Sequence, residues 1–515
     1  MAVALIISAF VLSFAFAPFN IRFLSYFALI PLLLLIYRYP YKKVFWYGLI
    51  FGSAFALFHL WWLYFLIVPV EPITKVLLYL GVTVLFVYLG FYTAVFSVST
   101  KFLGLPFAPL VWAVLEFVRT KSEIGFPWGF LGYTQTSYIP IVQMASIFGI
   151  YGISAWVVWI NLLIFWIFQK KHKVTYLVLL LVSFILPVSY GVIRTYTNKL
   201  KSNIIVAIVQ PNVAPNEKGD YESRQRLLKE LIDLVREATV QKPDLIILPE
   251  TATLVDITRN EELRNIFQAI ADSHNVYIFT GTPLYEPTSP IYYNGAVLFE
   301  PNKTDSIIFI VPGDSLLKIR APFFTKIYRK IHLVPFSERI PYVDKIKLFR
   351  KIETGDMGDC TPGKEYTIFE ITNTKSQIPN KFACLICFES IFPDLTRGFT
   401  TRGAEMLVNI TNDGWFGKTP GPHQHCELAI LRSVENGVPL VRCANNGISL
   451  ITDPFARITN KTKLFVQDII VADVAKALKS TFYRRYGDVL IHITIIILLI
   501  ALILKPFKHG KRRFH

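Results

Sequence analysis

What most limits the fold of this chain is where its charges are missing. Residues 1–195 run for long stretches with scarcely a charged side chain, 196–486 read as mixed soluble sequence, and 488–504 are apolar again. A mean hydropathy of +0.45 and 53% hydrophobic residues over 515 positions are too apolar for an ordinary water-soluble protein and point to membrane spans. A spanning helix needs ~20 predominantly apolar residues. The candidate segments are 3–19, 23–38, 44–69, 76–99, 103–118, 140–168, 174–194 and 487–504, the fifth being interrupted by Pro106 and Pro109. The sequence thus predicts a membrane domain of about seven helices over 1–195, a globular domain over 196–486, and a last helix with a basic tail over 487–515.

The first span also carries a small-x-small pattern at Ala15 and Ala17, as a cleaved signal peptide would. No basic residue precedes its apolar core and Pro18 would follow the scissile bond, which favours a retained helix.

Lys and Arg beside the spans set orientation. One set of loops carries Arg38, Lys42, Lys43, Lys101, Lys170, Lys171 and Lys173, and the tail adds Lys505, Lys508, Lys511, Arg512 and Arg513. The opposite loops hold only Arg22, Lys75, Arg119 and Lys121. The asymmetry places both termini in the cytoplasm and 196–486 on the outer side. The net charge of +17 then comes partly from topology signals, and no nucleic-acid motif accompanies it.

Within 196–486, short apolar runs rich in Val and Ile alternate with helical patterns. "NIIVAIVQ" (203–210), "DLIILPE" (244–250), "VYIFTG" (276–281), "NGAVLFE" (294–300), "FACLICFE" (382–389) and "EMLVNIT" (405–411) read as strands buried on both faces, while 221–239 and 424–437 have helical spacing. That order argues for an α/β layered fold.

Polar residues gather where these runs end: Glu250, then Cys387 with Glu389, then Asn412 and Asp413. In α/β sheets the crevice beyond the carboxyl ends of the strands is the usual ligand site. Lys330, with Glu338 eight residues on, could join them there. Singly each has a plain explanation: Lys330 as one more solvated cation beside Lys326 and Arg329, Glu250 as a helix cap, Cys387 as a strand wall residue. Together they make chemistry. A thiol with a pKa of ~8.5 attacks as thiolate, so Glu250 would take its proton and Lys330 would hold the oxyanion, aided by the backbone N–H of Phe388. Glu338 would orient Lys330, and Glu389 would position the incoming group or its proton.

"LPETA", "YRKIHLVPFSE", "CLICFES" and "NDGWFG" resemble the Glu, Lys and Cys motifs of the carbon–nitrogen hydrolase (nitrilase) superfamily. With membrane helices before and after, and with "FAPFN" (16–20), "GFPWGFLGYTQ" (125–135) and "NNGIS" (445–449), the chain resembles the apolipoprotein N-acyltransferase family over nearly its whole length. The resemblance implies a multi-pass α-helical membrane domain plus a nitrilase-like αββα sandwich, with Glu250, Lys330 and Cys387 catalytic and Glu338 and Glu389 supporting. It further implies no cofactor, a location in the bacterial inner membrane with the catalytic domain periplasmic, and a phospholipid donor such as phosphatidylethanolamine. The acceptor would be the α-amino group of a diacylglyceryl-cysteine on a lipoprotein. Phe388 stands where some relatives have tyrosine, and Lys218-Gly219 where some have Lys-Trp.

Other features have two readings. His423, His425 and Cys426 could suggest a metal, but a closed zinc site needs four ligands, and the start of a helix explains them as well. Trp415, with Asn412, is a candidate substrate contact; Trp128 and Tyr133 read as membrane-interface aromatics. Residues 340–363, with Phe349 and Ile352, are either a lid or a connecting loop. Two rival functions stand beside acyl transfer: a tethered amidase acting on a soluble substrate, and a transporter or receptor, for which the spans hold few ionisable residues besides Glu116.

Overall fold

The computed structural model describes residues 1–67, 72–169, 172–214, 221–286, 291–302, 307–310, 317–320, 324, 326–345, 360–373 and 376–505. Lys170, Lys171, Lys218-Gly219, Phe349, Ile352 and the tail cations beyond Lys505 lie outside these residues.

Eight helices come first: α1 (Ala2–Ser13), α2 (Ile30–Arg38), α3 (Tyr41–Leu60), α4 (Pro72–Leu103), α5 (Ala108–Val118), α6 (Ile139–Val142), α7 (Ala145–Gln169) and α8 (Lys173–Thr197). Among the described residues, four stretches are long and apolar enough to cross a bilayer: Tyr41–Phe65, Ile73–Leu103, Ala145–Gln169 and Lys173–Thr197. The segments read at 3–19, 23–38 and 103–118 hold shorter helices of 12, 9 and 11 residues. Proline explains part of this, since Pro31 and Pro109 each sit in the first turn of their helix, where a missing N–H costs nothing. α7 buries 67% of its apolar window and is the axis of the bundle; α8 buries only 6% and turns Leu177, Leu181 and Ile185 outward, an arrangement that lipid tolerates and water does not. α7 is broken at Gly149, whose φ of 63° favours glycine and whose missing Cβ would stand 2.7 Å from the Tyr483 ring.

The remainder is two six-stranded sheets. The strands are β1 (Ser202–Gln210), β2 (Leu245–Ile247), β3 (Tyr277–Tyr285), β4 (Tyr292–Phe299), β5 (Ile307–Ile310), β6 (Leu317–Arg320), β7 (Ile327–Arg329), β8 (Ile368–Asn373), β9 (Ser376–Ile386), β10 (Met406–Thr411), β11 (Leu440–Ala444), β12 (Leu450–Thr452), β13 (Ile458–Lys461) and β14 (Asp468–Ala475). The orders are β14-β1-β2-β3-β4-β7 and β13-β12-β11-β10-β9-β8, with β5 and β6 paired separately. In each large sheet the middle strands, β1-β2-β3 and β9-β10-β11, are parallel.

The alternation along β1 shows why its run is apolar throughout. Val206 and Ile208 face the second sheet, while Ala207 and Val209 meet Leu231 and Val235 of α9 (Tyr221–Thr239) and Phe267 of α10 (Glu261–His274). α11 (Pro393–Thr401) and α12 (Gly421–Asn436) cover the second sheet, completing an αββα sandwich. α12 also packs on α7 and is buried nearly all round, so one continuous core runs from the inter-sheet layer into the membrane helices. α13 (Phe482–Tyr486) and α14 (Val489–Leu504) return the chain to the helical bundle against α7 and α5.

Candidate active site

The run read as a strand to Glu389 ends earlier. β9 stops at Ile386, and Cys387–Ile391 form a tight turn with Cys387 at φ 52°, a strained backbone for a side chain with a Cβ. Several bonds hold it there. The Cys387 carbonyl accepts from Ser390 Oγ at 2.9 Å and lies 3.2 Å from His425 Nε2. Glu389 accepts from the Ile386 N–H at 2.7 Å, the Tyr328 hydroxyl at 2.7 Å, the Ile331 N–H at 2.6 Å and the His332 N–H at 3.1 Å. Fully buried, it fastens the nucleophile turn to the segment that carries Lys330, in place of the substrate-facing position expected for it. Burial raises its carboxyl to about 7, the Ile386 N–H, Lys330 and the Tyr328 hydroxyl opposing.

Lys330 follows β7 and is 1% exposed. Its Nζ lies 2.8 Å from Glu338 Oε1 and 3.5 Å from Glu250 Oε1. Asn294 donates to the same two carboxylates, at 3.1 and 2.7 Å, while the Asn412 N–H holds Glu250 Oε2 at 2.9 Å and the Val334 N–H holds Glu338 Oε2 at 2.8 Å. Three strand ends and one loop thus fix a cation between two anions. Burial pulls the Lys330 pKa down, but Glu338 and Glu250 outweigh it and hold the ammonium well above its ordinary value, with Cys387 adding to the effect. For Cys387, burial and then Glu250 push the thiol far up, and Lys330 pulls it back. Glu250 and Lys330 thus act on the sulfur in opposite senses, the pairing that suits a thiol losing its proton as it attacks. All five cysteines are free; Cys387 is half-buried and the other four are buried.

A second buried cluster was not read as one from the sequence, where Asp413 and His425 stood apart and Arg442 and Asn409 went unremarked. Asp413 Oδ1 lies 2.9 Å from His425 Nδ1, its Oδ2 accepts from Arg442 Nη2 at 2.7 Å, and Arg442 also bonds Asn409. The signal was available: Arg442 in "LVRCA" and Asn409 in "LVNIT" are polar residues inside apolar strands, paired in register across β10 and β11. Burial would raise Asp413, but Arg442 and His425 hold its carboxyl well below the ordinary range. His425 is thus committed to Asp413 and the Cys387 carbonyl, and among the described residues no group of three or more His, Cys, Asp or Glu is arranged for a metal ion.

The candidate contacts differ from one another. Asn412 is 3% exposed, and its amide oxygen accepts from Asn445 Nδ2 at 3.1 Å, which braces the site. Trp415 is half-buried, and its carbonyl accepts from the Ile67 N–H at 2.8 Å, which ties the site to the end of the α3 span. Trp128 and Tyr133 are buried, not interfacial. Trp128 and Trp62 both donate to Gln424 Oε1, at 2.8 and 3.0 Å, and the Trp128 ring stacks on His425 with centroids 5.6 Å apart. The membrane segments therefore form part of the wall around the nucleophile turn.

The family model for carbon-nitrogen hydrolase matches residues 205–482, and that for the apolipoprotein N-acyltransferase N-terminal domain matches 8–163. The apolipoprotein N-acyltransferase of Geobacter metallireducens is 31% identical over 501 residues, covering 94% of this chain and 91% of the relative. The chain belongs to the apolipoprotein N-acyltransferase family. The N-acyltransferase of Chlorobaculum tepidum is 29% identical over 486 residues, covering 91% and 89%. A solved structure of an amidase from Nesterenkonia sp. AN1, with an acetamide moiety on its active-site cysteine, is 17% identical with a TM-score of 0.39, covering 58% of this chain and 100% of that one. For an N-acyltransferase, a nitrilase-type α/β part packed on apolar helices is the expected organisation, and the family with its four membrane-length helices makes this an inner-membrane protein.

Proposed function

We propose that this acyltransferase moves an acyl chain from a phospholipid, phosphatidylethanolamine among the available heads, to the α-amino group of a lipoprotein's N-terminal diacylglyceryl-cysteine, completing lipoprotein maturation through a thioester on Cys387. The observation that carries the residue assignment is the Lys330 ammonium, held between Glu338 and Glu250 and acting on the one half-buried cysteine.

In the first half-reaction Glu250 takes the thiol proton as sulfur adds to the ester carbonyl. Lys330 and the Phe388 N–H, in the first turn after β9, hold the oxyanion. The C–O bond breaks, the proton passes from Glu250 to the leaving oxygen, and a lysophospholipid departs. In the second, the amine adds to the thioester, Glu250 accepts its proton, and the C–S bond breaks as that proton passes to the departing sulfur, restoring the thiol and the carboxylate. An α-amino group has a pKa of ~7.7–8.0, so a base helps this step at neutral pH. Both substrates are held in one leaflet, which raises their effective concentration.

We place the catalytic part, 196–486, on the periplasmic side, between a membrane domain over 1–195 and a last helix over 487–515, with both termini cytoplasmic. Lys101 bonds the Tyr37 carbonyl and Lys505 the Phe102 carbonyl, which gathers Arg38, Lys101 and Lys505 at one end of the bundle. Lys121, at the other end, pairs with Asp394 of α11 at 3.0 Å. The cationic end is thus the one away from the sandwich, in keeping with the charge rule.

The test is intact mass after incubating the detergent-solubilised protein with phosphatidylethanolamine. A single acyl adduct, removed by hydroxylamine and missing from Cys387→Ala, is the expected result. Untouched lipid with Cys387 reduced would overturn the donor assignment.

A further inference from the structure

A cavity of about 300 Å³ opens on another face of α12, lined by the turn after α1, residues 136–137 and β13. His425 and Gln424 belong to the nucleophile side of that helix; His423 and Glu427 line this cavity. It is therefore a separate place from the Cys387 site.

Its charges are unusual in being left apart. The Glu427 carboxylate accepts from Asn20 Nδ2 at 2.7 Å and makes no ion pair among the described residues. Lys461, exposed on the β13 wall, makes none either, although its charge reaches Glu427. The amide oxygen of Asn20 is buried without a partner. One wall thus offers acceptors for an ammonium, which has three donors to satisfy, and another offers a cation for an anion. Burial raises Glu427 to about 7, with Asn20, Arg22 and Lys461 opposing, so a bound ammonium would be needed to hold it fully ionised.

The surroundings point to a bilayer. Ala17, where α1 has given way to a turn, lines the cavity, and Phe19, Phe23 and Tyr138 nearby in the chain are exposed aromatics of the kind that mark a lipid–water boundary. About ten waters' worth of volume admits a short amino-alcohol phosphodiester, and the charged and amide groups on its walls suit such a head better than an acyl chain.

We propose that this cavity binds the head of a zwitterionic phospholipid, its ammonium on Glu427 and Asn20 and its phosphate on Lys461, as a second lipid site that does not react. The acyl chains would remain in the membrane beside α1.

The experiment follows the melting temperature in detergent micelles as phosphatidylethanolamine is added, for wild type, Glu427→Gln and Lys461→Ala. Glu427→Gln keeps the acceptor for Asn20, and Lys461 is exposed, so both variants should fold and still form the Cys387 adduct. Any shift from lipid at Cys387 is common to all three proteins. The expected result is that each variant needs at least tenfold more lipid for the half-maximal shift. Identical titrations in the three proteins would overturn the site. Phosphatidylglycerol should not separate the three; if it does so equally well, the zwitterion assignment fails. Soluble glycerophosphoethanolamine should leave wild type unshifted, and a shift as large as the lipid's would overturn the membrane source.

Discussion

Two buried ionic clusters act on Cys387, and they differ in what they reach. Glu250, Lys330 and Glu338 bring an ammonium and a carboxylate to bear on the sulfur itself. Asp413, His425 and Arg442 satisfy one another and bond the Cys387 carbonyl, while the Asp413 charge acts on the sulfur only behind Glu250 and Lys330. Both set carboxylates against a cation, and all but Glu338 are buried. A buried charge therefore marks chemistry only where it faces an atom that reacts; otherwise it holds a backbone in place.

The sharpest way to break this comparison is to remove a charge from each cluster. Lys330→Met should slow formation of the acyl adduct by about 10³-fold, since it takes away the main oxyanion partner. The time course of intact mass measures it. A loss under tenfold would reduce Lys330 to the same holding role as Arg442. Asp413→Asn should instead act on stability, by roughly 3 kcal/mol, because it leaves Arg442 buried without its anion. Denaturation in detergent measures that, and adduct formation by the folded fraction should stay within about tenfold of wild type. The reverse pattern would exchange the two roles.

The same distinction explains what could be read in the sequence. Glu250 and Cys387 stood out because they end apolar runs, where a polar residue has few structural reasons to be, and Lys330 was added from "YRKIHLVPFSE" with Glu338 eight residues on. β1 to β4, β9 and β10 were legible for the related reason that their runs are apolar throughout, whereas β7, β8 and β11 to β14 were not read, and α9 begins and ends where its apolar spacing does, at 221 and 239. The second cluster was hidden because its members lie within elements: Arg442 inside β11, His425 inside α12. Pattern reading counts α12 as an ordinary amphipathic helix, whereas contact with α7 buries its other face too and allows Arg432 and Glu435 to be fully covered. Trp128 was misplaced for the same cause. An aromatic residue next to a span looks interfacial until a second layer closes over it.

His425 tests the holding role more finely. His425→Leu removes the bond to the Cys387 carbonyl and should lower the acylation rate about tenfold with little change in the lipid concentration needed for half-maximal rate. His425→Gln, which keeps an N–H donor, should restore most of the rate. If both variants lose equally, the imidazole does more than position the turn.

The smallest effect separates the two acids that flank Lys330. Glu338 is the first of the partners that raise the Lys330 pKa, ahead of Glu250. A lysine whose folded pKa lies above the ordinary ~10.4 keeps its contribution fully below that pH and loses it only as pH rises through the higher, folded value. Wild-type acylation should therefore show no alkaline loss due to Lys330 up to about pH 10. Glu338→Gln leaves Glu250 as the remaining anion, so the folded value falls and the alkaline limb moves down into the measurable range. At pH 7 Lys330 is charged in both proteins, and the rate should differ by less than about fivefold. Superimposable pH–rate profiles would mean that Glu250 alone sustains the ammonium, leaving Glu338 as a brace for the Val334 loop.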